Sequence, residues 1–238
     1  LPPGPAPGHR GLMGATDISG PSAGPPFPVP PALAAGPGWW WPWVRWATLG
    51  EFLGFAVPAL TAAVVSSWPA WAAAPLLVLA GAAEGAALGL AQAHVLHRAL
   101  PALVAGRWVL ATAAGAVLAW SIGLLPMLAD GALFALPVPI LVVGGLLLGA
   151  ALLGSIGTAQ WLVLRWLVPG SARWIGATAG AWAVGLLVFT AITTPLWAPG
   201  QPAALMAAIG VLGGLAMAGT VAALTGWALV RLLRPPAR

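Results

Sequence analysis

From residue 43 onward the apolar positions form long runs rather than an alternating pattern. A helix needs about 20 apolar residues to cross a bilayer, whereas the strands of a membrane barrel alternate polar and apolar residues. We therefore predict an all-α integral membrane protein, a bundle of six transmembrane helices. The predicted spans are about 43–66, 74–99, 107–127, 138–167, 173–194 and 202–233.

Turn-forming residues separate these runs, as expected between helices. They lie at Ser67-Trp68-Pro69, Pro101, Ala129-Asp130-Gly131, Pro169-Gly170 and Pro199-Gly200-Gln201-Pro202. The segment before the first run is different, because residues 1–40 are rich in Pro and Gly and have no apolar period. Such a segment buries too little apolar surface to fold by itself. We therefore predict an extended or disordered tail at 1–40 and a transmembrane domain at 41–238.

Composition supports the membrane interpretation. Hydrophobic residues make up 61% of the chain and charged residues 5%, against about a quarter charged in soluble domains. Cysteine is absent, which excludes disulfides, thiolate metal sites and cysteine nucleophiles. The net charge of +5 comes from scattered arginines rather than a basic stripe, so we expect no nucleic-acid partner.

The arginines predict the topology. Arg98 and Arg107 flank one predicted turn, Arg165 and Arg173 flank another, and Asp130 lies on a turn of the opposite side. Arginine-rich short loops stay in the cytoplasm. We therefore predict a multi-pass protein of the bacterial cytoplasmic (inner) membrane with both termini cytoplasmic, which an even number of spans allows.

The sequence also contains an internal repeat. Residues 81–101 match residues 149–169 at several positions, and residues 214–233 give a weaker third copy. The helices between the copies share an Arg-Trp start and an Ala-Thr pair. These are Arg45-Trp46 with Ala47-Thr48, Arg107-Trp108 with Ala111-Thr112, and Arg173-Trp174 with Ala177-Thr178. We therefore predict three repeated helical hairpins around a pseudo-threefold axis along the membrane normal.

Small residues recur at helical spacing within the predicted spans. In lipid, helices associate through close packing of small residues and through interhelical hydrogen bonds. We expect the glycines of these stripes at helix contacts: Gly81, Gly85, Gly89, Gly149, Gly157, Gly210 and Gly214.

Two motifs resemble a known group of proteins. The segment GTAQWLVLR at 157–165, a GxxxGxxQWxxLR-type helix, is followed by a Pro turn and an RWxxA helix, and the last span ends in TGWALVRLLR at 225–234. In this the chain is similar to uncharacterised bacterial multi-pass membrane proteins, over residues 43–234. The resemblance implies a structural use of the motifs and no activity. The chain departs from the pattern at Ala93-His94 and at Glu51.

Ionisable groups inside a predicted span are functional candidates by default. Glu84 lies fourteen residues before Arg98, about 21 Å along a helix, and we expect it to face the bundle. It would serve as a proton or cation site, or as a neutral acid bonded to a Ser, Thr or Gln of another helix. We expect Glu51 to pair with Arg45 near the interface. Gln92 and Gln160 occupy equivalent positions, where packing bonds to a neighbouring backbone or to the Ala-Thr hydroxyls are favoured over substrate contact.

His94 and His97 lie near the predicted inner surface. Solvation at the headgroups is the favoured interpretation, and ligation of a chlorophyll-type pigment is the alternative. The tryptophans, among them Trp43, Trp108 and Trp174, are expected in the aromatic belts of the two interfaces.

We found neither a catalytic set nor a metal-binding pattern, so no enzyme is predicted. The leading hypothesis is a non-enzymatic accessory or scaffold subunit of a larger bacterial membrane complex, with the lipid bilayer, bound lipid and other membrane subunits as partners. The first alternative is a transporter or channel for a small solute or a proton, using Glu84. The second is a pigment-binding subunit using His94 or His97.

Overall fold

The computed structural model describes Gly4 and residues 36–234. These residues form helices and turns with no strand, and six of the helices are long and apolar enough to cross a membrane. The prediction of an all-helical chain with six such helices is confirmed to that extent. The long helices are α1 (Trp40–Val64), α2 (Ala70–Ala99), α3 (Ala105–Gly123), α5 (Val138–Leu164), α6 (Arg173–Leu196) and α7 (Ala203–Leu232).

The shorter elements lie in the connections. A 3-10 turn at Gly36–Trp39 precedes α1, α4 (Leu125–Leu128) follows α3, and a second 3-10 turn at Ala132–Ala135 precedes α5. Most of the predicted tail lies outside the described residues. Its last residues, from Gly36 to Trp40, are helical, so helical structure begins before the predicted boundary at residue 43.

The predicted breaks all fall in the connections between long helices. Three of them contain a glycine in the left-handed region of backbone space: Gly131 at φ 82°, Gly170 at φ 70° and Gly200 at φ 81°. Only glycine adopts this conformation without a steric penalty from a Cβ. At these three positions the glycine backbone conformation interrupts the helical segments, although the residues on either side are apolar.

The six long helices form a closed ring in chain order. Each packs against the helix before it and the helix after it, and α7 returns to pack against α1. Neighbours are antiparallel: α1 meets α2 where Gly50 faces Ala91 and again, further along α1, where Gly54 faces Glu84. A ring of six helices has room along its axis, which is where the site described below lies.

Glycines bring α2 and α3 into close contact. Gly81, Gly85 and Gly89 lie on one face of α2, against α3. A Cβ added to Gly85 would lie 2.6 Å from the Cβ of Ala116, and one added to Gly89 would lie 2.9 Å from the Cα of Val109. Both distances are shorter than real Cβ contacts, so the helices approach to a separation that only glycine permits.

The other predicted packing glycines have different surroundings. A Cβ on Gly157 would lie 3.1 Å from Ile175 on α6, and one on Gly214 would lie 3.9 Å from the nearest side chain, on α1. At Gly149 and Gly210 a Cβ would meet no described heavy atom within 4 Å. The predicted helix contact is therefore absent at these two positions among the described residues. In α7 the close contact lies at Gly213 instead, where an added Cβ would be 2.5 Å from Thr193 on α6.

Burial is concentrated at one end of the ring. We call it the arginine end, because it carries Arg98, Arg107, Arg165 and Arg173. In α5 the buried residues all lie from Ser155 onward, and in α6 they all lie at Gly185 or earlier. Both of these stretches are at the arginine end. The remaining stretches, 138–154 of α5 and 186–196 of α6, contain no buried residue and expose apolar side chains on both helices.

Candidate functional site

Three tryptophans at the arginine end are almost fully buried: Trp43 on α1, Trp108 on α3 and Trp174 on α6. Each indole N–H donates a hydrogen bond to a polar side chain of the preceding helix in the ring. The acceptors are Thr225 Oγ1 at 3.0 Å for Trp43, Gln92 Oε1 at 3.1 Å for Trp108, and Gln160 Oε1 at 2.8 Å for Trp174. The three rings lock neighbouring helices together, because an unpaired indole N–H would be costly in such an apolar interior.

This burial corrects two predictions. The aromatic-belt interpretation is wrong for Trp43, Trp108 and Trp174, whose N–H groups find partners inside the protein. The proposed Arg-Trp equivalence is also wrong for the first hairpin: Trp46 is 42% exposed, and Trp43, three residues earlier, is the tryptophan buried like the other two. Trp227 remains exposed, with the Arg231 guanidinium 3.5 Å from its ring centroid.

The two glutamines meet beside these rings. Gln160 is fully buried, and its side-chain amide donates to Gln92 Oε1 at 2.8 Å and to Thr112 Oγ1 at 3.0 Å. The Thr112 hydroxyl is one of the Ala-Thr partners expected for these glutamines. Two hydrogen-bonded groups, in contact through the edges of the Trp43 and Trp174 rings, make up what we call the polar layer: Trp43 with Thr225, and Gln92, Trp108, Thr112, Gln160 and Trp174.

The polar layer has fewer hydrogen bonds at Thr225 on α7 than at the two glutamines. Thr225 accepts a tryptophan N–H, as Gln92 and Gln160 do, but its hydroxyl donates to its own helix, to Val221 O at 2.7 Å. The Thr178 hydroxyl, which corresponds to Thr112, is buried and has no hydrogen-bond partner among the described residues. A threonine is too short to repeat the bond that Gln160 makes to Thr112.

A cavity of about 290 Å³ lies inside the ring, beyond the polar layer and away from the arginines; we call it the chamber. Its wall is mainly apolar, and the acidic groups in it are Glu51 and Glu84. Glu84 precedes Gln92 by eight residues, about 12 Å along a helix, so the polar layer closes the chamber toward the arginine end. The wall also includes Leu152, Leu186 and Phe189, on the stretches of α5 and α6 that contain no buried residue.

Glu84 faces the bundle, as predicted, but its partner is an unexpected one. The Trp120 indole on α3 donates to Glu84 Oε2 at 2.7 Å, so the donor is neither Ser, Thr nor Gln. The Trp120 ring lies directly against Gly81, whose missing side chain makes room for it. The glycine of α2 therefore positions the ring that holds the carboxyl of the same helix.

Glu51 is a buried acid that faces a second acid. The residue is 2% exposed, and within the described part of the chain neither of its carboxyl oxygens has a hydrogen-bond donor from a residue other than Glu84. The Glu51 and Glu84 carboxyls lie within hydrogen-bonding reach of each other. The predicted pairing with Arg45 is wrong: Arg45 is exposed, while Glu51 points inward from the next turns of α1.

Both acids come from α1 and α2, although all six long helices line the chamber. Ala116 and Trp182 lie eight residues after the buried Trp108 and Trp174, as Glu51 lies eight residues after Trp43. Leu152 and Met217 lie eight residues before Gln160 and Thr225, as Glu84 lies eight residues before Gln92. These four residues also line the chamber and carry no carboxyl, so the acidic groups of the wall are confined to the first two long helices.

The histidines lie away from the chamber. His94 and His97 are exposed on α2. The His94 Nε2 atom lies 3.1 Å from an Arg98 guanidinium nitrogen, and the His94 ring lies against the Trp46 ring in a tilted orientation. Among the described residues no cluster of three or more His, Asp or Glu could hold a metal ion. A pigment bound by either histidine would lie on the outer surface of the bundle.

Sequence reasoning overlooked Trp120, Trp182 and the role of Trp43. A signal was present for the first two, because both lie deep within predicted spans, where a belt residue is not expected. For Trp43 the nearby cluster of tryptophans concealed which ring turns inward.

Comparison of the chain with protein-family models, with curated proteins and with solved structures found no match.

Proposed function

We propose that the chain is a multi-pass protein of the bacterial cytoplasmic membrane with both termini in the cytoplasm. The six long apolar helices support insertion, and the arginines gathered at one end support this orientation. In this arrangement the polar layer lies toward the cytoplasm and the chamber lies deeper in the hydrocarbon.

We further propose that the ring consists of three copies of a helical hairpin. The support is the matching set of buried residues: a tryptophan on the first helix of each hairpin, and Gln92, Gln160 or Thr225 on the second helix. Leucines four residues later extend the match, since Leu96, Leu164 and Leu229 are all buried.

As the function, we propose that the protein binds a small molecule in the chamber and transports it without chemical change. This develops the transporter hypothesis, with Glu51 added to Glu84. One observation carries the proposal: the buried Glu51 carboxyl lines an apolar chamber and, within the described residues, has no hydrogen-bond partner other than the neighbouring Glu84 carboxyl. Two buried acids side by side without a compensating positive charge are a costly arrangement. A ligand that supplies hydrogen-bond donors to this pair gives the two carboxyls a purpose that folding does not supply.

The size and shape of the chamber also favour this function. Its volume of about 290 Å³ is at the lower end of the range for small-molecule sites, about 300–1,000 Å³. Mostly apolar walls with a few convergent polar groups are the usual composition of such sites. Intramembrane acids are common on substrate and proton pathways.

Native mass spectrometry of the protein released from its own membrane tests the proposal. We expect the wild type to retain a small molecule. The Ala119→Phe variant should lose it, because Ala119 lines the chamber and a phenyl ring would fill the space. Ala114→Phe is the matched control, since Ala114 is an exposed residue of the same helix. Equal retention by Ala119→Phe and Ala114→Phe would contradict a ligand in the chamber.

The accessory-subunit hypothesis remains a second candidate, because of one feature. The first half of α5 is apolar all round, and its residues 138–151 include none that is buried among the described residues. A helix of another subunit could pack there. Gentle solubilisation followed by particle sizing tests this: a co-purifying protein lost on Leu146→Trp supports it, and a lone chain opposes it.

A further inference from the structure

We propose that the ligand of the chamber is an amphipathic amine, a molecule with one ammonium group and an apolar body, and that its ammonium group binds Glu51. This rests on the proposed function and adds the chemical class of the substrate.

The charges around the chamber exclude an anion. Glu51 and Glu84 are the charged or ionisable groups that line it within the described residues, and both are acids. The described arginines are all exposed, and the wall contains none of them. A negatively charged ligand would therefore meet one or two carboxyls in a medium of low dielectric and no compensating cation.

The hydrogen-bonding groups of the wall call for a ligand that brings its own donors. The Trp120 N–H already donates to Glu84 Oε2, and in the described part of the chain the Glu51 carboxyl has no donor other than the neighbouring Glu84 carboxyl. An ammonium group supplies N–H donors and a positive charge together, and such charge-assisted bonds are stronger than neutral ones. A sugar or other polyol would leave most of its hydroxyls unpaired against the apolar wall.

A bare metal ion fits less well than an amine. Mg²⁺ and Ca²⁺ take about six to eight oxygen ligands, whereas the chamber offers two carboxyls among apolar side chains. Aromatic rings favour an organic cation instead. Phe55 and Trp182 line the same chamber, and ammonium groups are attracted to the faces of such rings.

The loose half of the ring offers a route for the apolar body. Leu152 and Leu186 belong to the chamber wall, on the stretches 138–154 of α5 and 186–196 of α6, in which the structure describes no buried residue. An amphipathic amine dissolved in the bilayer can therefore reach Glu51 between these helices without passing the polar layer.

Three probes with the same apolar body test the assignment: 1-naphthylmethylamine, 1-naphthylmethanol and 1-naphthoate. Radiolabelled probes are bound to the full chain in lipid nanodiscs, and binding to empty nanodiscs is subtracted. We expect saturable binding of the amine, with a Kd at least about tenfold lower than that of the alcohol, and the weakest binding for the naphthoate. A tenfold ratio corresponds to about 1.4 kcal/mol.

Variants of Glu51 test where the ammonium binds. Glu51→Gln should bring the Kd of the amine to within about threefold of the Kd of the alcohol, while Glu51→Asp should keep the preference for the amine. Ala114→Phe should leave the Kd values of all three probes unchanged. Size-exclusion profiles that match the wild type identify the folded variants, and the Glu51→Asp comparison keeps the test decisive should Glu51→Gln fail to fold.

Failure of this inference differs from failure of the proposed function. Equal wild-type Kd values for amine and alcohol, both lost in Ala119→Phe, would overturn the amine assignment and leave a ligand chamber in place. A preference for the amine that survives Glu51→Gln would also overturn it. Absence of saturable amine binding to the wild type would overturn it as well, and the mass-spectrometric test of retained ligand would then decide the proposed function separately.

Discussion

The side-chain amide of Gln160 donates a 2.8 Å hydrogen bond to the side-chain oxygen of Gln92, 68 residues earlier in the chain. These two glutamines occupy matching positions in the aligned segments 81–101 and 149–169. Matching positions of these two segments therefore meet inside the ring, and the buried tryptophans of α3 and α6 donate hydrogen bonds to the same pair. The pair thus connects four helices at the end of the chamber nearest the arginines.

Replacing Gln160 should weaken this connection. Gln160→Leu leaves the Trp174 N–H without its acceptor and removes the amide from Gln92 and Thr112. We expect the free energy of unfolding in mixed micelles to fall by about 2–3 kcal/mol, because each buried unpaired group costs about 1–3 kcal/mol. Gln201→Leu is the control, since Gln201 bonds to a backbone carbonyl in an outer turn. Equal losses in the two variants would contradict the polar layer.

The glycine contacts predict that two glycine-to-alanine substitutions change stability in opposite directions. Gly85→Ala places a methyl group 2.6 Å from the Ala116 Cβ, and we expect it to lower stability by about 1–3 kcal/mol through overpacking. Gly180→Ala, at a helical position with open space around it, should raise stability by about 0.5–1 kcal/mol, because alanine loses less backbone entropy. Thermal unfolding of both variants beside the wild type measures the difference. Stabilisation by Gly85→Ala would show that α2 and α3 are not in close contact.

The bond between Trp120 and Glu84 can be isolated by a double-mutant cycle. Trp120→Phe, Glu84→Leu and the double variant should give a coupling of about 1.5 kcal/mol, as expected for a hydrogen bond to a charged or strongly polar partner. A cycle of Trp182→Phe with Glu84→Leu is the control, since Trp182 lines the same chamber on α6. Its coupling should stay below about 0.5 kcal/mol. Similar couplings in both cycles would indicate a general effect of tryptophan in the chamber.

The absence of cysteine makes the topology easy to test. A single cysteine introduced into this chain is a unique reactive site. A membrane-impermeant maleimide added to intact cells should label Asp130→Cys and leave Ala102→Cys and Ala172→Cys unlabelled until the cells are opened. All three positions are exposed in turns. Labelling of Ala102→Cys in intact cells would reverse the proposed orientation.

Hydrophobic pattern alone was enough to predict the helices. The breaks at Pro101 and Pro169 fall in connections of the structure, because turn formers interrupt runs that are otherwise uniformly apolar. The direction in which each side chain points was harder to predict, since an apolar helix in such a chain has no polar face to orient it. Trp43 and Trp46 show the difficulty: the two rings lie three residues apart, and one is buried while the other is exposed.

The candidate site was predictable in part. Glu84 stood out because an acid inside a predicted span is costly. Glu51 was assigned to the interface because of its distance from Arg45 along the sequence, and its approach to Glu84 depends on the glycines that let α1 and α2 come together. The identity of the hydrogen-bond donor to Glu84 also required the tertiary structure. Trp120 reaches the carboxyl because its ring packs against Gly81, which has no side chain. Contacts of this kind cannot be read from a one-dimensional pattern.

The most direct test of the chamber is the reactivity of its acids toward two carbodiimides of different solubility. Dicyclohexylcarbodiimide is apolar and dissolves in the bilayer, whereas a water-soluble carbodiimide reaches only exposed carboxyls. Mass spectrometry of treated membranes should find Glu51 modified by the apolar reagent and Asp130 modified by the water-soluble one. N,N-dimethyl-1-naphthylmethylamine, a tertiary amine that cannot be coupled to an activated carboxyl, should protect Glu51. A Glu51 that resists the apolar reagent, or reacts equally with both, would contradict a chamber that opens to the bilayer and binds ligand there.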